Sequence, residues 1–182
     1  MTQSNKKCLI AYYSRKGNNY LDCTIVYLPI GNTEVIAKKI NNFVGGDLFE
    51  INTVTPYPID YRETTKVAIV ELHQNARPEL TDKVKNMDDY DVIYLGYPNW
   101  CGTFPMAVFT FLETYDFSGK TIVPFCTHEG SGMSKSERDI KILCPKAILL
   151  TGIAIRGGSV ASADNVIQSW LEKQEDVTSL SK

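Results

Sequence analysis

The sequence predicts an α/β protein with a doubly wound, five-stranded parallel sheet in the order 2-1-3-4-5 and helices on both faces. Three observations carry that expectation. Apolar runs of strand length alternate with stretches of helical periodicity, the pattern of a sheet covered on both sides. The third run, Val92-Ile93-Tyr94-Leu95-Gly96, is continuously apolar, as a central strand is, while the second alternates, as an edge strand does. The segments after the first, third and fourth runs are unusual in composition, and this strand order places a ligand crevice at the carboxyl ends of strands 1 and 3.

The elements follow in order. Cys8 to Tyr13 is the first strand, stopping at Ser14. Residues 15–30 carry no assigned element, and Gly31-Asn32-Thr33 opens an amphipathic helix from Thr33 to Val44. Its apolar face is Val35, Ile36, Ile40, Phe43 and Val44, and Gly45-Gly46 ends it. Asp47 to Ile51 is the second strand. Asp60 caps a helix reaching about Asn75, and residues 76–90 are irregular. After the third strand, a helix spans Thr103 to Tyr115 with Pro105 in its first turn. Thr121 to Phe125 is the fourth strand, where Pro124 removes a ladder donor and hints at a bulge or break. Ser134-Lys135-Ser136-Glu137 has the capping-box pattern and starts a helix to Leu143. Ala147 to Ile153 is the fifth strand. The last helix, Ala163 to Glu172, turns Val166, Ile167, Trp170 and Leu171 to the sheet, and the tail from Gln174 to Lys182 frays. No repeat or linker divides the 182 residues, so 1–182 reads as a single domain.

Composition excludes several classes. A net charge of -2 offers no basic field for nucleic acid. No apolar run is long enough to span a membrane, and residues 1–7 lack the apolar core of a signal peptide. The five cysteines are dispersed and odd in number, which argues against a disulfide framework or a zinc site and for a reducing, cytoplasmic compartment. Two histidines cannot make a histidine-rich metal site.

Three loops carry the chemistry. A buried strand that ends in Ser14 and delivers Gly31-Asn32-Thr33 to a helix N-terminus suits a phosphate, because the first-turn N–H groups lack partners and the macrodipole is positive there. Ser14, Asn32 and Thr33 add neutral donors, and Gly31 lets the backbone approach an anion; Asn32 or Thr33 would equally serve as a plain helix cap. After the third strand, Trp100 in Gly96–Thr103 either covers an end of the core or packs on a flat ring whose edges the loop backbone binds. Thr127-His128-Glu129-Gly130-Ser131-Gly132 is either a turn or a backbone clamp on a ligand edge.

Through these loops the chain resembles the flavodoxins, close to a bacterial group, along nearly its whole length. The carriers are Tyr12 to Gly17 with Gly31-Asn32-Thr33, Tyr97 to Pro105, and Ser118 to Gly132. The resemblance implies a flavodoxin-like fold with non-covalent FMN. It implies that Ser14, Asn32 and Thr33 contact the phosphate, and that Pro98, Asn99, Trp100, Cys101 and Gly102, with Thr127, His128, Glu129, Gly130, Ser131 and Gly132, line the isoalloxazine. Two departures stand out. Residues 15–30 are inserted inside a phosphate loop that is contiguous in relatives, so Lys16 or Asn18 reaches the ligand or the insert forms a flap. Cys101 stands where similar chains carry a second Trp, placing a small apolar filler or a thiol near the flavin.

The expected function is electron transport through FMN, with a redox partner protein. The alternative is an NAD(P)H-dependent FMN oxidoreductase, or quinone reductase, passing hydride to a small acceptor. Glu129 and the cluster Asp88, Asp89, Asp91 are candidates to oppose negative charge on reduced flavin. A phosphorylated receiver fails because Tyr13-Ser14 and Tyr97-Pro98 end the strands where it needs acids. A Cys-x5-Arg phosphatase fails because Cys8 lies within a strand and Arg15 is one residue too far. Ser131 does not sit in the Gly-x-Ser-x-Gly elbow of a hydrolase.

Overall fold

The computed structural model describes residues 6–180, with side chains as far as Gln174. Its strands are Cys8–Tyr12 (β1), Gly17–Leu21 (β2), Thr24–Leu28 (β3), Asp47–Glu50 (β4), Val92–Pro98 (β5), Thr121–His128 (β6), Ile148–Leu149 (β7) and Ile153–Arg156 (β8). Its α-helices are Asn32–Val44 (α1), Tyr61–Gln74 (α2), Met106–Thr114 (α3), Ser136–Leu143 (α4) and Asp164–Leu180 (α5). The main sheet runs β4-β1-β5-β6-β7, with β8 also on β6, and every pairing in it is parallel. The order 2-1-3-4-5 is therefore realised, with β4 at the edge and β5 at the centre.

Strand alternation sorts the core into two layers. Leu9 and Ala11 of β1 join Ile93, Leu95, Phe111 and Ile140 on the face covered by α3 and α4. Ile10 and Tyr12 point the other way, onto Ile36, Ile40, Ile167 and Trp170 of α1 and α5. In α1 the buried residues are Thr33, Ile36, Ala37 and Ile40, with Val35 and Val44 packed against that layer, while Phe43 is exposed. Val166 is likewise exposed while Ile167, Trp170 and Leu171 are buried. Asp60 caps α2 as expected, its carboxylate accepting from Glu63 N at 2.9 Å.

Several elements depart from expectation for local reasons. The fifth strand is split. Leu150 N donates to the Ile122 carbonyl, so Ile122 faces β7, and Pro124, two residues on, faces the same side. Pro124 has no N–H to offer, and the neighbour is interrupted between Leu149 and Ile153. The break that proline imposes thus appears in the adjacent strand, while β6 runs on unbroken to His128. The helix expected from Thr103 begins at Met106, because Trp100 and Thr103 exchange both backbone hydrogen bonds, at 2.8 and 3.0 Å. The capping box does not form: Ser134 sits at φ +48 and donates to the Ser131 carbonyl, while Glu137 accepts from Gly152 N. Helix α5 continues through Leu180, beyond the point where fraying was expected, and Ser181 and Lys182 lie outside the described residues.

The largest departure is the insert. Residues 17–28 form an antiparallel hairpin of β2 and β3, apart from the main sheet. Asp22 and Cys23 turn it, both in the left-handed region at φ +46 and +67, as a two-residue hairpin turn requires.

Candidate functional site

A cleft of about 390 Å³ opens where the carboxyl ends of β1, β5 and β6 meet. Asn32, Thr33, Pro98, Asn99, Trp100, Thr127, His128, Glu129, Gly130 and Ser131 line it. The topology therefore brings together ten of the fifteen residues expected from sequence.

On one side α1 presents its N-terminus. The N-cap is Gly31, which makes no side-chain cap bond, so neither Asn32 nor Thr33 serves as the cap. Instead Ser14 Oγ, at the end of β1, accepts from Glu34 N at 2.9 Å. Ser14 thus supports the first turn and does not line the cleft. Thr33 Oγ1 lies 2.8 Å from Thr127 Oγ1, which ties the helix start to the end of β6. Gly31 has an ordinary φ of -71, so glycine is required there by space. A β-carbon would collide with Ser14 Oγ and come within 2.7 Å of the Arg15 carbonyl oxygen.

The second side is the Pro98–Gly102 loop. Asn99 stitches it to the loop after β6. Its N–H donates to the Thr127 carbonyl at 2.8 Å, its Nδ2 to the Gly132 carbonyl at 2.8 Å, and its Oδ1 accepts from Gly102 N at 3.1 Å. Gly102 and Gly132 therefore shape the loops and do not line the cleft. Trp100 is braced edge-on by Tyr13 at 5.5 Å and by Tyr57 at 5.1 Å. Tyr57 in turn donates to Glu71 Oε2 at 2.7 Å, and burial raises the pKa of its phenol. Cys101, at φ +53, is exposed and is no core filler; burial of the sulfur raises its pKa, with Lys135 pulling the other way.

The third side comes from His128 to Ser131. His128 Nδ1 accepts from Gly130 N at 2.9 Å, so the ring is neutral at that nitrogen. Burial lowers its pKa, Glu129 raises it, and Arg156 lowers it. Glu129 is not a free carboxylate: Oε2 accepts from Asp22 N at 3.1 Å and lies 3.9 Å from Arg156 Nε. Asp88, Asp89 and Asp91 stand before β5 begins, at the opposite end of the strand from Pro98, about 20 Å away. They do not oppose charge in this cleft.

The hairpin closes the fourth side, as the flap alternative for the insert expected, but with residues that were not expected to line the cleft. Lys16 is exposed and does not line the cleft, whereas its neighbour Arg15, with Asn19, Tyr20 and Tyr61, does. Tyr20 stacks on Tyr61 of α2 at 5.9 Å and 25°. The hairpin base is held by Asn18 N donating to the Ile59 carbonyl at 3.2 Å, and its tip by Arg156, 3.4 Å from Asp22 Oδ1. Gly157 lies against the strap: a β-carbon there would meet the Leu21 side chain at 2.6 Å. A signal was present in Asn18-Asn19-Tyr20, polar and aromatic inside an insert next to a phosphate motif.

The donor set fits a phosphorylated flat ring. It combines helix N–H groups, the Asn32 amide, the Thr33 hydroxyl, a tryptophan face and a glycine-rich backbone rim. Among the described residues, no group of three or more potential ligands could hold a metal ion, and no helix is long and apolar enough to cross a membrane.

Comparison with known proteins agrees with this geometry. The Flavodoxin family model matches residues 23–174. A solved protein from Bacteroides eggerthii assigned as a flavoprotein is 30% identical, with a TM-score of 0.68, over 89% of this chain and 98% of its own. A similarly assigned protein from Bacteroides uniformis is 28% identical, with a TM-score of 0.73, over 92% of this chain and 98% of its own. A flavoprotein from Lactobacillus acidophilus, solved in complex with FMN, is 23% identical, with a TM-score of 0.65, over 88% and 99%, and speaks for the fold alone. A search of curated proteins finds no match.

Proposed function

Because this chain belongs to the flavodoxin family, we propose that it holds FMN non-covalently in the cleft and transfers electrons through it. The observation that carries this reading is the convergence of the α1 N-terminus, Trp100 and the Thr127–Ser131 loop on one cleft. FMN, when bound, supplies the electron chemistry. The protein binds, orients and shields. The first-turn amides of α1, with Asn32 and Thr33, hold the phosphate without a lysine. Trp100, kept upright by Tyr13 and Tyr57, covers one ring face. Cys101 and Gly102 both have positive φ, at +53 and +80, and Gly102 tolerates either hand, so the peptide between them can turn its carbonyl toward a protonated ring nitrogen. The hairpin, pinned at Asp22 and Asn18, limits the entry of water.

The partner on this reading is a redox protein in a reducing compartment. The reading that an NAD(P)H-dependent reductase is present instead predicts rapid bleaching by NADPH alone. The test is a visible spectrum of purified protein followed by anaerobic titration. Flavin absorption, FMN released on denaturation and no bleaching by NADPH support the carrier. Colourless protein that binds no added FMN overturns the whole reading.

A further inference from the structure

Arg15 is 8% exposed, and the groups that receive its protons are all neutral. Nη1 donates to the Asn18 carbonyl, and Nη2 to the carbonyls of Pro58 at 2.9 Å and Ile59 at 2.7 Å and to Thr64 Oγ1 at 2.9 Å. Its Nε is buried with no partner. No carboxylate pairs with it among the described residues. Asp60 acts on it only through space: its carboxylate accepts from Glu63 N and forms no ion pair with the guanidinium. A buried guanidinium without a carboxylate in contact is costly, and such groups are normally paired.

The surroundings say what the missing countercharge is. Among the cleft-lining side chains, Glu129 is engaged by Arg156 and His128 is held neutral by Gly130 N, which leaves Arg15 as the uncompensated charge. Arg15 also borders an adjoining niche of about 110 Å³ between α2 and the Trp100 loop, shared with Tyr61, Asn99 and Trp100. Asn32 and Thr33, the phosphate donors, border the cleft and not the niche. Arg15 therefore borders the Trp100 side of the site as well as the phosphate side.

We propose that Arg15 is the countercharge for the anionic, fully reduced flavin ring, so that this protein binds reduced FMN in preference to what its neutral phosphate cradle alone would give. Two electrons from an external reductant such as dithionite and one proton from solvent convert the neutral ring to a monoanion. That added charge acts through space on the enclosed guanidinium, which has no carboxylate in contact among the described residues. The inference rests on FMN being the ligand.

The test compares wild type, Arg15→Gln and Arg15→Lys by anaerobic titration with oxidised and dithionite-reduced FMN, and with riboflavin in both states. Thermal melting checks that each variant folds. Arg15→Gln is expected to weaken the reduced ligand roughly tenfold more than the oxidised one, the order expected of one charge about 10 Å away at an effective dielectric near 20. The same differential is expected with riboflavin, which lacks the phosphate, and Arg15→Lys should restore most of it. Equal losses in both redox states, or a loss seen with FMN and not riboflavin, overturn the proposal and leave Arg15 as a brace of the hairpin or a phosphate ligand. Wild-type protein that binds neither ligand refutes the FMN reading itself, which is a separate result.

Discussion

Thr33 Oγ1 and Thr127 Oγ1 sit 2.8 Å apart, both side chains buried, one at the start of α1 and the other near the end of β6. Ninety-four positions separate them in sequence. One hydroxyl must donate to the other, so each is satisfied only while its partner remains. Changing either to valine strands a buried hydroxyl and should cost about 1–3 kcal/mol, whereas the double change leaves none stranded. The expected result of denaturant unfolding is a double variant less destabilised than the sum of the singles, with a coupling of roughly 0.5–3 kcal/mol. FMN affinity should fall in every variant that lacks the Thr33 hydroxyl.

Two glycines should fail for different reasons. Gly31→Ala meets Ser14 and the Arg15 carbonyl at ordinary φ, so the start of α1 must shift. We expect loss of FMN binding and a destabilisation of about 1–3 kcal/mol, typical of overpacking. Gly102→Ala has open space around its β-carbon but sits at φ +80. It should cost about 1 kcal/mol in stability from backbone conformation alone. Titration of both variants with FMN, beside their melting curves, separates space from conformation.

Acid should loosen the third wall. Burial, the largest influence, holds His128 below its ordinary pKa of about 6.5, against the pull of Glu129. Since the folded value is the lower one, the unfolded chain binds more protons just below pH 6.5, and stability is lost as the pH falls toward the folded value. Protonation also ends the acceptance from Gly130 N. FMN affinity should therefore hold through about pH 6.5 and decline only as the pH approaches the lowered folded value. His128→Asn, which keeps an acceptor but does not titrate, should flatten that decline.

The hairpin tip tests the strap. Arg156 lies 3.4 Å from Asp22 and 3.9 Å from Glu129, and Arg156 and Asp22 are both largely exposed. Arg156→Gln should change global stability by less than about 1 kcal/mol. A loss of about 0.6 kcal/mol in strap docking corresponds to roughly threefold faster FMN release. Stopped-flow displacement of bound FMN reads this directly, and an unchanged release rate would show that the strap does not retain the ligand.

The amino-acid pattern suggested the sheet order, and with the flavodoxin resemblance it pointed to ten residues that line the cleft, because both draw on local signals. Continuous apolarity in Val92–Gly96 marks a strand covered on both faces, and Asn32-Thr33 after Gly31 marks a helix start. Ser14, Gly102 and Gly132 were found near the site but in supporting places, since motif position does not say which way a group's hydrogen bonds run. Pro124 was recognised as a disruption, yet where the break fell depended on which neighbour its missing N–H faced.

What only the folded chain decided were the contacts made across long separations. Thr24 to Leu28 has strand-forming residues, but its pairing with Gly17–Leu21 into a hairpin over the cleft, one of two alternatives for the insert, was decided only in the folded chain. That placement is set by Ile59, Glu129 and Arg156, from three distant segments. The burial of Arg15 follows from the same arrangement. Whether a charge is exposed or enclosed depends on which remote carbonyls surround it, and a linear sequence carries no direct record of those neighbours.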